Sequence, residues 1–286
     1  MTIRRVFVAG AGLMGHGIAQ VHAVIGKVVV LYEPDLGRAE AGRSRIADNL
    51  ARGVAKGRLT AEARDEALAR VHATDRLDAV ADADLAIEAV FEDVDVKSRL
   101  WAELDGLAPG RTIFASNTSS ISIDRLAEGL AAARRPAFVG MHFFSPVPVM
   151  PLIELIRGSE TDDATETAVR ALAGELGKQV IVSADRPGFI VNRILMPFLG
   201  EAMRACEAGL GTAEDIDTGA RIGLNHPMGP LALADFIGLD VCLNIMRVLH
   251  EGLGDAQFRP PAVLEELVAA GHLGQKTGRG FYSYPR

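Results

Sequence analysis

The first half of the chain alternates two textures. Short runs of apolar, β-branched or aromatic residues (Val6–Ala9, Val28–Leu31, Leu85–Glu88, Thr112–Ala115, Phe138–Met141) are bounded by Gly, Asp or Pro. Between them lie longer stretches whose apolar positions recur with a period near 3.6. Strands that are apolar throughout are buried on both faces, so this alternation predicts a mostly parallel sheet flanked by helices. Val180–Val182 reads as one more strand. Arg38 to about Arg70 is too long for one crossover helix. Its Arg/Ala/Asp/Glu-rich composition and the Gly57–Thr60 break predict a helical hairpin inserted into the sheet domain.

Beyond Asp185-Arg186-Pro187-Gly188 the texture changes to helix, with no further strand pattern. Ile190–Ala208 reads as a long helix ended by Gly209, and Thr212–Ile222 as a helix capped by Thr212 with Asp215 in its first turns. The expected organisation is a Rossmann-type α/β domain over residues 1–185, then a smaller all-helical domain over 186–286.

Composition narrows the class. At 286 residues, the chain is about twice a typical ~150-residue domain. Its net charge of −7 argues against nucleic-acid and membrane-surface partners. The two cysteines, Cys206 and Cys242, fall in helical stretches and form no disulfide framework. No apolar run approaches the ~20 residues that span a bilayer. A strand pattern also begins almost at once, at Ile3, so no leader is expected and a cytoplasmic protein is. No His/Cys/Asp/Glu group has metal-ligand spacing, and no metal is expected.

Gly10-Ala11-Gly12-Leu13-Met14-Gly15 fits G-x-G-x-x-G between the first strand and the first helix. The mechanism of dinucleotide binding requires that context: a tight turn, close approach of pyrophosphate to backbone, and a helix N-terminus supplying donors. Glu33 ends the second strand, where an acid binds the adenosine ribose hydroxyls and repels the additional phosphate of NADP. Pro34 and Asp35 follow it without an arginine, so NAD is expected as cofactor. The loop alone leaves FAD open.

Three further segments carry a resemblance: Ser116-Asn117-Thr118-Ser119-Ser120 and His142-Phe143-Phe144-Ser145-Pro146, each following a strand, and Pro187-Gly188-Phe189-Ile190-Val191-Asn192-Arg193, opening the helical part. With the glycine loop and the closing Gly274-Gln275-Lys276-Thr277-Gly278-Arg279-Gly280-Phe281-Tyr282, the whole chain resembles the L-3-hydroxyacyl-CoA dehydrogenases, above all the stand-alone 3-hydroxybutyryl-CoA branch. The resemblance implies reversible, NAD-dependent oxidation of (S)-3-hydroxyacyl-CoA to 3-ketoacyl-CoA. It implies His142 as the general acid/base, Glu154 as the carboxylate that holds and stabilises it, and Ser119 and Asn192 as substrate hydrogen-bonding residues. It places Glu92, Lys97, Asn117, Ser119 and Ser145 near the cofactor, besides Gly10, Gly12, Leu13, Met14, Gly15 and Glu33. It also implies acyl-CoA as the partner molecule, Lys56 on the hairpin toward the CoA nucleotide, one active site between the two domains, and a homodimer through the helical domain.

The chemistry is reasonable by itself. Oxidising a secondary alcohol needs a base of near-neutral pKa, usually histidine, and a carboxylate on its second nitrogen fixes the tautomer. Two departures from the family pattern stand out. Ser145 replaces a usual Asn, and two extra residues fall between Ser119 and His142, expected in a surface turn at Ala131–Arg135. Arg43, Arg45, Arg52, Lys56 and Arg58 on the hairpin could hold anionic CoA or merely form a solvated face.

Among the other histidines, His226 reads as structural, and His16 as a solvent-facing residue of the first helix. Dehydrogenases of free β-hydroxy acids place a lysine four residues before the helical asparagine; here that residue is Gly188. A dehydrogenase of a free hydroxy acid resembling carnitine or gulonate, and a non-catalytic NAD-binding protein, are the competing readings.

Overall fold

The computed structural model describes residues 2–285. The chain divides into two compact units between Arg186 and Pro187.

The first unit is built on one eight-stranded sheet: β1 (Arg5–Ala9), β2 (Val28–Tyr32), β3 (Val71–Thr74), β4 (Leu85–Glu88), β5 (Ile113–Ser116), β6 (Phe138–Phe143), β7 (Leu152–Arg157) and β8 (Gln179–Ala184). Their order is β3-β2-β1-β4-β5-β6-β7-β8. Every neighbouring pair is parallel except β6 with β7. The helices are α1 (Leu13–Val24), α2 (Leu36–Ala55), α3 (Ala61–Ala69), α4 (Val94–Leu107), α5 (Ile123–Ala127) and α6 (Asp163–Glu175).

Residue alternation sends Val6, Val8, Val29, Leu31, Leu85 and Ile87 into a core shared with Ile18 of α1, Ile46 and Leu50 of α2, and Val169 and Leu172 of α6. On another part of the sheet, Trp101 of α4 stacks on Phe114 at 4.9 Å and meets Phe138 edge-on at 5.1 Å.

The hairpin expected between Arg38 and Arg70 is α2 and α3. Asp35 caps α2 by accepting the Arg38 N–H at 2.8 Å, and Thr60 caps α3 by accepting that of Ala63 at 3.2 Å. Two strands were not legible as apolar runs. β3 is a four-residue edge strand carrying His72 and Thr74, and β7 interrupts its apolar residues with Glu154.

The Ala131–Arg135 turn is not the plain surface loop expected. Arg134 is 4% exposed. It donates to Asp105 Oδ1 at 2.9 Å and to the carbonyls of Thr112 and Ala108 at 2.7 and 3.1 Å, with its guanidinium 4.5 Å above the Phe114 ring. An arginine reaches such a position because its planar fork satisfies several acceptors at once.

The second unit is helical: α7 (Val191–Glu207), α8 (Ala213–Thr218), α9 (Pro230–Ile237), α10 (Leu239–Leu253) and α11 (Ala262–Ala269). Met196, Leu199, Met203, Leu231, Leu243, Met246 and Leu264 are in its core. Two aspartates close it. Asp217 accepts the Leu231 and Ala232 N–H groups and the Tyr282 hydroxyl at 2.8–2.9 Å. Asp235 accepts the Phe281 and Tyr282 N–H groups and the Tyr284 hydroxyl at 2.9–3.0 Å. The closing glycine-rich motif thus has a packing reason: a Cβ on Gly280 would lie 1.9 Å from Asp235 Oδ1. His226 lies over the Phe198 ring, centroids 4.9 Å apart, and its Nδ1 is 3.3 Å from the Met228 carbonyl oxygen.

His22 on α1 is fully buried, its Nδ1 2.7 Å from the Ile18 carbonyl oxygen and its ring edge-on to Phe143. Burial, reinforced by Lys27 and Lys178 against the opposing Ile18 carbonyl and Glu175, pushes its pKa from 6.5 down to about 4. The unfolded chain therefore takes up this proton first, and stability is lost as pH falls from about 6.5 to about 4. Urea unfolding of wild type and His22→Gln across that window should show the wild type losing stability more steeply; parallel curves would mean His22 does not titrate this way.

Candidate active site

The glycine loop forms a cradle at the C-terminal end of β1. Gly10 adopts φ +101°, and a Cβ there would lie 2.5 Å from the Ala89 carbonyl oxygen. A Cβ on Gly15 would fall 1.8 Å from the Gly10 carbonyl oxygen, so helix and loop can approach this closely only without one. Gly12 is the contrast: a Cβ there would meet nothing within 4 Å, so the loop opens outward at the place where a pyrophosphate would approach. Gly12 is also the N-cap of α1, with no side-chain cap and no acid in the first turn. That leaves the helix N-terminus suited to an anion. Leu13 is exposed and Met14 packs against the core. At the end of β2, Glu33 Oε1 accepts the Ala11 N–H at 2.7 Å. These residues fit a dinucleotide.

His142 and Glu154 lie directly opposite each other in the antiparallel β6–β7 ladder. Opposed side chains in such a ladder start within about 4.5–5.5 Å at Cβ, and here His142 Nδ1 stands 2.9 Å from Glu154 Oε2. The carboxylate is fully buried and the histidine nearly so. The Phe144 ring packs against the imidazole at 4.5 Å.

The loop after β5 is tied to this strand, because Asn117 Oδ1 accepts the Phe143 N–H at 2.8 Å. Its shape is set by Glu92, whose Oε1 accepts the Thr118 hydroxyl at 2.6 Å and the Ser119 and Ser120 N–H groups at 2.8 and 3.0 Å. Ser119 Oγ is 3.3 Å from the same oxygen. Behind Glu92 lies Lys97, 1% exposed, with Nζ 3.1 Å from Glu92 Oε2 and bonded also to Glu88. Glu88 is fully buried and accepts the Ser116 hydroxyl at 2.7 Å and the Val90 N–H at 3.0 Å. Burial raises the Glu88 pKa despite Lys97 and Ser116. For Glu92, burial pulls the same way, but Lys97, Thr118 and the Ser119 N–H outweigh it and hold the carboxyl below its usual range.

A groove of about 560 Å³ runs past the α1 N-terminus, between the α2–α3 hairpin and the Ser145–Val149 segment. Arg52, Lys56 and Arg58 bring positive charge to it; Leu13, Val147 and Val149 bring apolar wall. Ser145 lines it too. So does His16, which is 9% exposed rather than solvent-facing, because its Nδ1 turns back to within 2.6 Å of the Gly12 carbonyl oxygen. On the other side of Gly12, a separate cavity of about 230 Å³ is lined by Glu33, Arg38 and Arg45. In the second unit, Asn192 is the second residue of α7 and is buried.

Glu88 and Arg38 were not singled out from sequence, and Arg45, grouped there with the hairpin cations that could hold CoA, instead lines the cavity beside Glu33. An acid ending the otherwise apolar Leu85-Ala86-Ile87 could have flagged the first. Arg38, Ala41 and Arg45 share one face of α2 at i, i+3, i+7 spacing.

A Rossmann-type sheet with a glycine cradle and an acid closing β2 defines an NAD-dependent oxidoreductase. Family models described as "3-hydroxyacyl-CoA dehydrogenase, NAD binding domain" and "3-hydroxyacyl-CoA dehydrogenase, C-terminal domain" match residues 5–186 and 188–284. A 3-hydroxybutyryl-CoA dehydrogenase of Bradyrhizobium diazoefficiens is 52% identical, over 99% of this chain and 96% of that one. The mitochondrial hydroxyacyl-coenzyme A dehydrogenase of Sus scrofa is 41% identical, over 99% and 91%. The crystal structure of (S)-3-hydroxybutyryl-CoA dehydrogenase from Ralstonia eutropha matches with a TM-score of 0.96 at 46% identity over both whole chains. The chain belongs to the 3-hydroxyacyl-CoA dehydrogenase family, and its cofactor is NAD.

Lys97 neutralises two carboxylates that burial would otherwise force together. Lys97→Met should cost about 3–5 kcal/mol in urea unfolding at pH 8. The cost should shrink toward pH 5, as the carboxylates left without their lysine protonate. A loss that is small, or equal at both pH values, would show that the lysine does not play this part.

Proposed function

We propose that the enzyme interconverts (S)-3-hydroxyacyl-CoA and 3-ketoacyl-CoA thioesters, with short chains such as 3-hydroxybutyryl-CoA foremost. The observation that carries this is the buried His142–Glu154 pair on adjacent antiparallel strands. Bound NAD supplies the acceptor for the hydride leaving C3. With Nδ1–H donated to Glu154, His142 keeps its lone pair on Nε2, the form that takes the proton from the C3 hydroxyl. The imidazolium so formed is stabilised by the carboxylate against which it is packed. Ser119 and Asn192 hydrogen-bond the substrate, Glu92 and Lys97 order the cofactor's nicotinamide half, and Asn117 and Ser145 line its surroundings.

Lys56, with Arg52 and Arg58 beside it in the groove, attracts the CoA phosphates. The names of the relatives support the thioester and the short chain. Two free cysteines suit a reducing cytoplasm, and no described helix is long and apolar enough to cross a membrane.

Acetoacetyl-CoA with NADH should give rapid loss of NADH absorbance, while free acetoacetate gives little. Turnover of the free acid alone would overturn the thioester reading. His142→Gln should lower turnover ~10²–10⁴-fold; near-normal activity would remove His142 from the chemistry.

The second unit leaves Leu210, Ile222, Leu224 and Phe236 exposed, which supports a homodimer formed through it. Sedimentation equilibrium should return twice the chain mass, and a monomer at assay concentration would exclude that arrangement.

A further inference from the structure

The cavity beside Glu33 carries more positive charge than the residues immediately after β2 suggest. It is lined by Ala11, Gly12, Glu33, Arg38, Ala41 and Arg45, with Phe91 at its edge. Arg38 and Arg45 are both exposed, and neither enters a salt bridge among the described residues. Arg45 Nη1 reaches only the Ala11 carbonyl oxygen, at 3.4 Å. Against these two guanidiniums stands one carboxylate, Glu33, whose Oε1 occupies the Ala11 N–H at 2.7 Å.

We propose that this cavity is a latent site for a phosphoryl group on the adenosine 2′-oxygen, with Arg38 and Arg45 as its ligands, and that Glu33 alone keeps it closed to NADP. The inference deepens the assignment of NAD and rests on the cofactor's adenosine lying beside Glu33.

The physical reasoning concerns charge and donors together. A 2′-phosphate brought to Glu33 meets a like charge in a half-enclosed site, where repulsion is felt more strongly than in water. Replacing Glu33 by Gln removes that repulsion, and replacing it by the shorter Ser also releases the Ala11 N–H as a donor. Arginine is suited to receive the phosphate, since its fork offers two parallel charge-assisted hydrogen bonds. Selectivity for NAD in this chain is then a matter of exclusion by one side chain, and does not come from a lack of phosphate ligands.

The test measures nucleotide binding without acyl-CoA, so it does not depend on which thioester is turned over. Dissociation constants for NADH and NADPH would be taken from nucleotide fluorescence on wild type, Glu33→Ser, Glu33→Gln and Glu33→Ser/Arg38→Ala/Arg45→Ala. Circular dichroism would establish that each variant is folded. Adenosine 2′,5′-bisphosphate and 5′-AMP would serve as competitors.

Wild type should prefer NADH. Both single variants should shift the NADPH-to-NADH affinity ratio toward NADPH by about 100-fold, with the bisphosphate becoming the better competitor. The triple variant should lose most of that shift. Equal weakening of both nucleotides in the single variants would overturn the proposal, as would a shift that survives removal of both arginines. Failure of acyl-CoA turnover with these binding results intact would count against the proposed substrate and leave this inference standing.

Discussion

A carboxylate is stable inside a sheet only where a partner meets it, and Glu154 is fully buried on β7. What supplies the partner is the reversal of direction between β6 and β7. In a parallel pair the side chains are staggered along slanted hydrogen bonds, whereas an antiparallel ladder sets residues face to face. The single antiparallel pairing in this sheet places His142 opposite Glu154, at 2.9 Å between nitrogen and oxygen. A one-residue slip would turn every side chain of β7 to the other face. Both faces of β7 are buried, so a slip would carry Glu154 into the apolar core beside Ile153 and Leu155 without its histidine, and the cost of an unpaired buried carboxylate favours the register that brings the two together. The position of the imidazole then governs its surroundings, since Asn117 ties the β5 loop to the Phe143 amide next door.

That loop is held from behind by a chain of charges leading away from solvent. Glu92 spends one oxygen on Thr118, Ser119 and Ser120, and meets Lys97 with the other. Lys97 in turn depends on Glu88, and Glu88 on Ser116 at the end of the same strand that launches the loop. The network closes on itself within the sheet domain. Every member has a partner, which is the condition under which buried polar groups rigidify a site.

The sequence made some of this visible and hid the rest for identifiable reasons. The glycine cradle, the hairpin and most strands were legible because each depends on local pattern: spacing of glycines, a run of apolar residues, a capping side chain. β3 was hidden because an edge strand of four residues needs no continuous apolar stretch. β7 was hidden because Glu154 breaks that stretch. Arg134 looked like part of a solvent-exposed turn, yet it is buried by acceptors drawn from Asp105, Ala108 and Thr112, a convergence no local window contains. Glu88 is the same case: its partners Lys97 and Ser116 come from other elements. Where contacts cross the sheet, neighbours along the chain carry little information about them.

Charge shows how one insertion can serve two ends of a site. The chain is acidic overall, at −7, and a uniformly acidic surface would repel nucleotides and CoA alike. The α2–α3 hairpin offsets this locally. One face of α2 turns Arg38 and Arg45 to the cavity beside Glu33, while Arg52, Lys56 and Arg58 near the hairpin tip line the groove along the other side of the α1 N-terminus. Gly12 and Leu13 form the wall between the two spaces. The two sets of cations thus lie on either side of one short turn without sharing a residue. The separation leaves Glu33 as the one carboxylate lining the cavity that Arg38 and Arg45 face.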